Sequence, residues 1–381
     1  MTKTRPFMRR IYLDYNATTP IAPSVVEAMQ EYLSEHFGNP SSNHIYGKAA
    51  HQAVEEARRQ VANLIAADPE EIVFTGGGSE SSNLAIKGLF LTPQALEGGG
   101  HLIISAIEHP ATSVPAEYLK SLGFEVSICG CDSRGVVDVD ELRGLLRSDT
   151  RLVSIMHANN ETGCIQPITA ISELCRQNEI RCHTDAAQSL GKIPTNVDVL
   201  GVDLLTIAGH KLYAPKGIGA LFVRRGVELE PVVHGAGHEF GLRAGTENVP
   251  YIVALGKAAE LASKSNQDDS SRLGQLRDRL IHRLREEIGE SLTVNGEGAE
   301  RLPNTLSVNF PGVSGYDLLA RTPEVCASTG AACHSGEAAL SATLRAMGVS
   351  AETARGTVRL SVGWPTSNEE IDRATDLLCE S

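Results

Sequence analysis

Through the first two-thirds of the chain, short apolar runs alternate with longer stretches that carry apolar residues at helical spacing. Glu71–Phe74 predicts a strand that enters a glycine-rich turn. Leu102–Ser105, Leu152–Met156 and Leu204–Ile207 are nearly continuous apolar runs, the pattern of strands buried on both faces of a mostly parallel sheet. Val139–Arg147 and Thr169–Gln177, which lie between such runs, have the period of amphipathic helices. This alternation predicts an α/β layer architecture with right-handed crossovers.

The pattern changes after Tyr251. Ile252–Ile288 predicts a helix with one polar interruption at Ser263–Ser271. A strand at Thr305–Phe310, a helix at Ala339–Met347 and a strand at Thr357–Val362 follow. The last helix opens with Ser367-Asn368-Glu369-Glu370, the spacing of a capping box. A chain of 381 residues is too long for one small core. The pattern therefore predicts a large α/β domain over 17–251. A smaller α+β domain follows over 252–381, with residues 1–16 packed on it.

Composition narrows the function classes. The net charge is −13 and aromatic residues are only 4%, which speaks against nucleic-acid binding and against anionic membranes. No apolar run is long enough to span a bilayer. The eight cysteines form no CxxC pair, so neither a disulfide scaffold nor a metal site is expected. The first ten residues are basic but lack the apolar core of a signal peptide. A cytoplasmic enzyme acting on small molecules is the expectation, with an organellar targeting role for those residues left open.

The residues that carry chemistry sit after the apolar runs. Lys211, in Gly209-His210-Lys211, follows a strand and is either a solvated surface lysine or a group at the sheet edge where α/β proteins bind ligands. Asp185 ends another strand and either pairs with a cationic ring nitrogen or caps a helix. Gln188 follows three residues on. The turn Thr75-Gly76-Gly77-Gly78-Ser79 leads into a helix whose free N–H groups can hold a phosphate, although its spacing matches neither the dinucleotide fingerprint nor the P-loop. His109 is a ring that can stack on a cofactor and move protons, or a structural histidine.

Together with these segments, Tyr12–Pro20, Gly38–Ser42, His157–Gly163, His183–Gln188 and Arg243–Asn248 resemble the hallmark stretches of the cysteine desulfurases. These are fold-type I pyridoxal-phosphate (PLP) enzymes of aminotransferase class V. The resemblance runs from about Ile11 to about Asp376, with the motifs in family order. It implies that Lys211 holds PLP as a Schiff base, that Asp185 pairs with the pyridine nitrogen, that Gln188 meets the phenolic oxygen and that His109 stacks on the ring. Gly78, Ser79 and His210 would bind the phosphate, with Thr246 of a partner subunit completing the site in a homodimer. Asn160 would touch cofactor and substrate, Asn39 the substrate, and Arg359 would clamp the substrate carboxylate with its planar fork.

The resemblance gives Cys333 the sulfur chemistry. The stretch Ala327–Gly336 surrounds that thiol with small residues, which predicts an exposed, reactive sulfur. The implied reaction takes L-cysteine to L-alanine and leaves the sulfur on Cys333 as a persulfide, for an acceptor protein that stays open between an iron–sulfur scaffold, a tRNA-thiolation relay and a biosynthetic partner. Cys326, next to apolar Val325, is expected in a strand or core. Three positions depart from the pattern. Ala208 lacks the hydroxyl that many relatives offer the phosphate, a loss of about 1 kcal/mol. Pro110 follows the stacking histidine, and Trp364 replaces a basic or small residue. A selenocysteine lyase or another class V lyase is the rival reading, and a non-catalytic α/β binding protein is a further one.

Overall fold

The computed structural model describes residues 10–329, 331–332 and 339–380. Its centre is a seven-stranded sheet in the order Ile72–Thr75, Gly219–Val223, Leu204–Ala208, Arg181–Asp185, Thr150–Ser154, His101–Ser105 and Glu125–Cys129. Gly219–Val223 runs antiparallel to both of its neighbours, and the other ladders are parallel. The expected apolar runs overlap these strands, although Leu152–Met156 continues two residues past Ser154 and Glu71 precedes Ile72. Those of the sheet interior are buried on both faces because helices cover both sides.

A second, antiparallel sheet takes the order Ser328–Thr329, Thr357–Ser361, Thr305–Asn309, Thr293–Val294. Ile11–Tyr12 pairs in parallel with Val325–Cys326 beside it, and Ile11 and Leu13 enter its core. Cys326 thus lies in a strand, half-buried. The closing helix Asn368–Cys379 carries the expected capping box between Ser367 and Glu370.

Two expectations are corrected. The helix Val249–Ile288 runs 40 residues without a break. Its polar stretch is the passage from one core to the other: Val249–Ala262 contributes to the core of the large sheet, and Leu273–Leu284 to the core of the small one. A helix needs an apolar stripe only where it is covered. The expected helix at Ala339–Met347 is a short strand, Ala339–Leu340, and then a short helix, Ala342–Ala346, which Ser341 starts by accepting from the Leu344 N–H. Capping by serine beat the apolar spacing there. Among the described residues no helix is long and apolar enough to cross a membrane.

Candidate active site

The carboxyl ends of the parallel strands open into one cavity of about 880 Å³. Gly76–Glu80 follow the strand Ile72–Thr75, His109 follows His101–Ser105, and Asn160 follows Thr150–Ser154. Ala187 and Gln188 lie just beyond Asp185, and His210 and Lys211 just beyond Ala208. Asn16–Thr18 and Arg359 close the wall from the side of the small sheet. Crossover connections leave such strand ends free of backbone pairing, which is why chemistry collects there.

Each end is shaped locally. Gly77 sits at φ +144° before the helix Gly78–Phe90, whose first N–H groups have no intrahelical partner. A side chain on Gly219 would come within 2.8 Å of the Gly77 backbone, so this approach admits only glycine. The Ala208 methyl lies 3.0 Å from where a Cβ on Gly78 would stand, and the cradle floor is therefore apolar at this point. Glu80 holds the turn from the other side: it accepts from the Gly76 N–H at 2.9 Å and from Arg243 Nε at 2.8 Å.

His109 is the N-cap of the helix Pro110–Ser121, its Nδ1 accepting from the Ala111 N–H at 3.1 Å. Pro110 takes the first helical position, where the missing N–H costs nothing; this accounts for its place after the histidine. Burial pushes the His109 pKa down, with Asp185 opposing and Lys211 reinforcing the shift. Nδ1 is thus an acceptor and Nε2 carries the proton of the neutral ring. The preceding Glu108, which sequence reasoning passed over, is a buried carboxyl raised to about 8 by burial. It binds the Ser105 hydroxyl and, at 2.9 Å, the Met156 N–H.

Asp185 is buried, and burial raises its pKa against the Ala187 N–H at 2.9 Å and the electrostatic pull of nearby His109 and Lys211. Beneath it His183 bridges Ser154 Oγ at 2.7 Å and Thr206 Oγ1 at 3.0 Å, and burial holds it neutral with a pKa of about 3. Gln188 gives Nε2 to the Asn16 carbonyl at 3.0 Å and leaves Oε1 buried without a partner among the described residues.

Lys211 Nζ donates to the carbonyls of Asn16 and, at 2.7 Å, Ala17. Burial, with Arg359 nearby, lowers its pKa to about 8, so a fraction of the amine is already free near neutral pH. His210 Nδ1 meets Thr18 Oγ1 at 3.2 Å, and burial brings its pKa to about 4. Two residues past Lys211, Tyr213 stacks on Trp364 with ring centroids 3.8 Å apart, and its hydroxyl accepts from the Trp364 N–H at 2.7 Å. Trp364 therefore buttresses the lysine segment.

Asn159 Oδ1 accepts from the N–H groups of Glu161 (2.9 Å) and Thr162 (3.0 Å), a turn that leaves Asn160 on the cavity wall. Gly78, Ser79, His109, Asn160, Asp185, Gln188, His210, Lys211 and Arg359 are all brought together. Thr246 and Asn39 are exposed and do not line this cavity. Cys333 lies outside the described residues. The segment Asp14–Thr18 lies in a quoted motif, but no local pattern assigned its contacts, because its partners are some 140 to 350 residues away.

The aminotransferase class-V family model matches residues 11–374. A protein named cysteine desulfurase IscS from Dictyoglomus turgidum is 45% identical over 97% of this chain and 94% of its own length. Another of that name, from Methanosarcina thermophila, is 44% identical over 98% of this chain and 92% of its own. A solved NifS-like protein superposes with a TM-score of 0.91 at 36% identity, covering 97% of this chain and 98% of its own. SspA, solved in complex with cysteine, gives a TM-score of 0.82 at 38% identity over 92% of this chain and 98% of its own.

Proposed function

The chain belongs to the aminotransferase class-V family, and we propose that it is a PLP-dependent cysteine desulfurase that converts L-cysteine to L-alanine and passes the sulfur to Cys333 as a persulfide. The observation that carries this reading is the meeting of an amine of lowered pKa, a buried carboxyl and a neutral imidazole in one cavity with a guanidinium.

The residues present fit PLP. The glycine turn and helix start offer N–H groups for a phosphate, Asp185 offers a carboxylate for a ring cation, and the Gln188 amide oxygen awaits a partner that the described residues do not supply. Bound there, PLP supplies an electron sink for negative charge at the substrate α-carbon. Lys211 would hold the cofactor, and its Nζ would move the substrate α-proton. Its lowered pKa suits it to that work near neutral pH. His109 covers the site with its proton held on Nε2. Arg359 receives the substrate carboxylate. The Cys333 thiolate attacks the substrate sulfur: an S–S bond forms, the C–S bond breaks with its electron pair leaving on carbon, and a proton completes the methyl group of alanine.

The exposed Thr246 and Asn39 take roles in this reading only across a homodimer. Exposed apolar side chains support that: Phe37 (69% exposed) stacks on Tyr46 beside Ile45, and Phe240 (59%) is exposed two residues from His238, which meets Ser41. The persulfide then goes to a sulfur-acceptor protein in the cytoplasm, an iron–sulfur scaffold being one of the kinds left open above. Incubation with L-cysteine, followed by quantification of alanine, sulfide and protein-bound persulfide, tests the whole reading. Alanine and persulfide in step are expected; neither forming in PLP-loaded protein would overturn it.

A further inference from the structure

Arg359 is not idle in the cavity wall. Nη2 donates to Asp14 Oδ1 at 2.7 Å and to Ser328 Oγ at 3.1 Å, and Nη1 donates to the Asn160 carbonyl at 3.0 Å. Ser328 in turn donates to the same Asp14 oxygen at 2.9 Å, and it stands directly opposite Arg359 in the antiparallel ladder. Nε is buried and has no partner among the described residues. The pair is largely shielded, with 11% of the Arg359 side chain and 18% of the Asp14 side chain exposed.

A guanidinium has two parallel N–H pairs that can grip a carboxylate: Nε with Nη2, and Nη1 with Nη2. Both include Nη2, and both N–H groups of Nη2 are taken. A carboxylate that docks bidentately must therefore displace Asp14 or Ser328. Docking through Nε and Nη2 would also satisfy the orphaned Nε.

We propose that Asp14 is a specificity-determining residue, an internal carboxylate that trades places on Arg359 Nη2 with the carboxylate of substrate and product. This rests on the reading of Arg359 as the carboxylate clamp. The exchange holds the fork in position between turnovers and sets an upper limit on carboxylate affinity. That limit matters because L-alanine leaves with the same carboxylate that L-cysteine brought.

The test uses PLP-loaded enzyme, with calorimetric binding of L-alanine and steady-state kinetics on L-cysteine. Asp14→Asn keeps the shape and an acceptor oxygen but removes the competing charge. It should tighten L-alanine and lower the KM for L-cysteine by roughly threefold to tenfold, while kcat falls as product release slows. Binding of cysteamine, which lacks the carboxylate, should not change. If Asp14→Asn does not fold, Asp14→Ser takes its place with the same expectation. Unchanged or weakened L-alanine binding would overturn the proposal, as would equal effects on cysteamine. Arg359→Ala separates the two readings. If it weakens L-alanine tenfold or more while Asp14→Asn fails to tighten it, the Asp14 proposal alone falls; if it leaves L-alanine unchanged, the clamp reading falls first and the proposal with it.

Discussion

Lys211 is a half-buried amine whose hydrogen-bond partners among the described residues are the carbonyls of Asn16 and Ala17, and that environment dictates its behaviour. A pKa lowered to about 8 means that the neutral amine accumulates as pH rises through about 8, not above 10. The rate of PLP capture by the apo protein should climb over that window and level off above it; a stopped-flow absorbance series across pH checks this. Lys211→Ala should lose covalent capture at every pH and lose turnover with it. Cys333→Ser should still bind L-cysteine but yield neither alanine nor persulfide. Mass spectrometry of the brief reaction with L-cysteine should place the added sulfur of the unaltered chain on the Cys333 peptide. If Cys333→Ser instead works on selenocysteine at near full rate, a lyase describes the enzyme better.

At the scale of elements, the strand Ile72–Thr75 that feeds the glycine turn is pinned by a buried ion pair. Arg58 of the helix Ile45–Ile65 makes a two-point bond to Glu239, both side chains only 3% exposed, and Glu239 also accepts from the Phe74 N–H at 2.7 Å. Glu239→Ala leaves the Arg58 charge buried and the Phe74 N–H unpaired. It should cost about 3–5 kcal/mol in a denaturant titration, whereas Arg58→Met with Glu239→Gln should recover part of the loss. Ser367→Ala removes one half of a capping box at the closing helix and should cost about 1 kcal/mol, with activity intact. Both elements are recognisable locally, but only the cap is legible in sequence, because its partners are three residues apart while Arg58 and Glu239 are 181 apart.

At the scale of the whole molecule, the cores of the large sheet and the core of the small sheet are bridged by the helix Val249–Ile288 and by Asn16. That side chain donates to Thr305 Oγ1 at 2.9 Å and to the Asn160 carbonyl at 3.2 Å, and it accepts from Asn304 at 3.0 Å. We propose that the cores are two lobes, the large one centred on 17–251, with the helix Val249–Ile288 shared between them. A charge of −13 favours solubility, and the exposed Phe37, Ile45, Tyr46 and Phe240 oppose it. Sedimentation should show a dimer, and Phe37→Glu with Tyr46→Glu should shift it toward monomer with loss of activity, since Thr246 and Asn39 then have no partner site to enter.

The sequence by itself did not mark the strands Glu125–Cys129 and Gly219–Val223, but it determined the layer class, the places of several strands and the fact that Lys211, Asp185, His109 and the glycine turn lie at strand ends. These are local properties: burial on two faces shows as an unbroken apolar run, and a turn shows in its glycines. The long helix was only partly legible, since a polar stretch reads as an interruption until two separate cores are seen to cover its ends. The tertiary structure alone decided that Asp14 meets Arg359 across 345 positions, that Trp364 stacks on Tyr213, and that Gln188 lines the cavity with an amide oxygen that no described residue satisfies. Periodicity records which face of an element is covered. Which distant side chain does the covering is fixed only when the chain closes on itself.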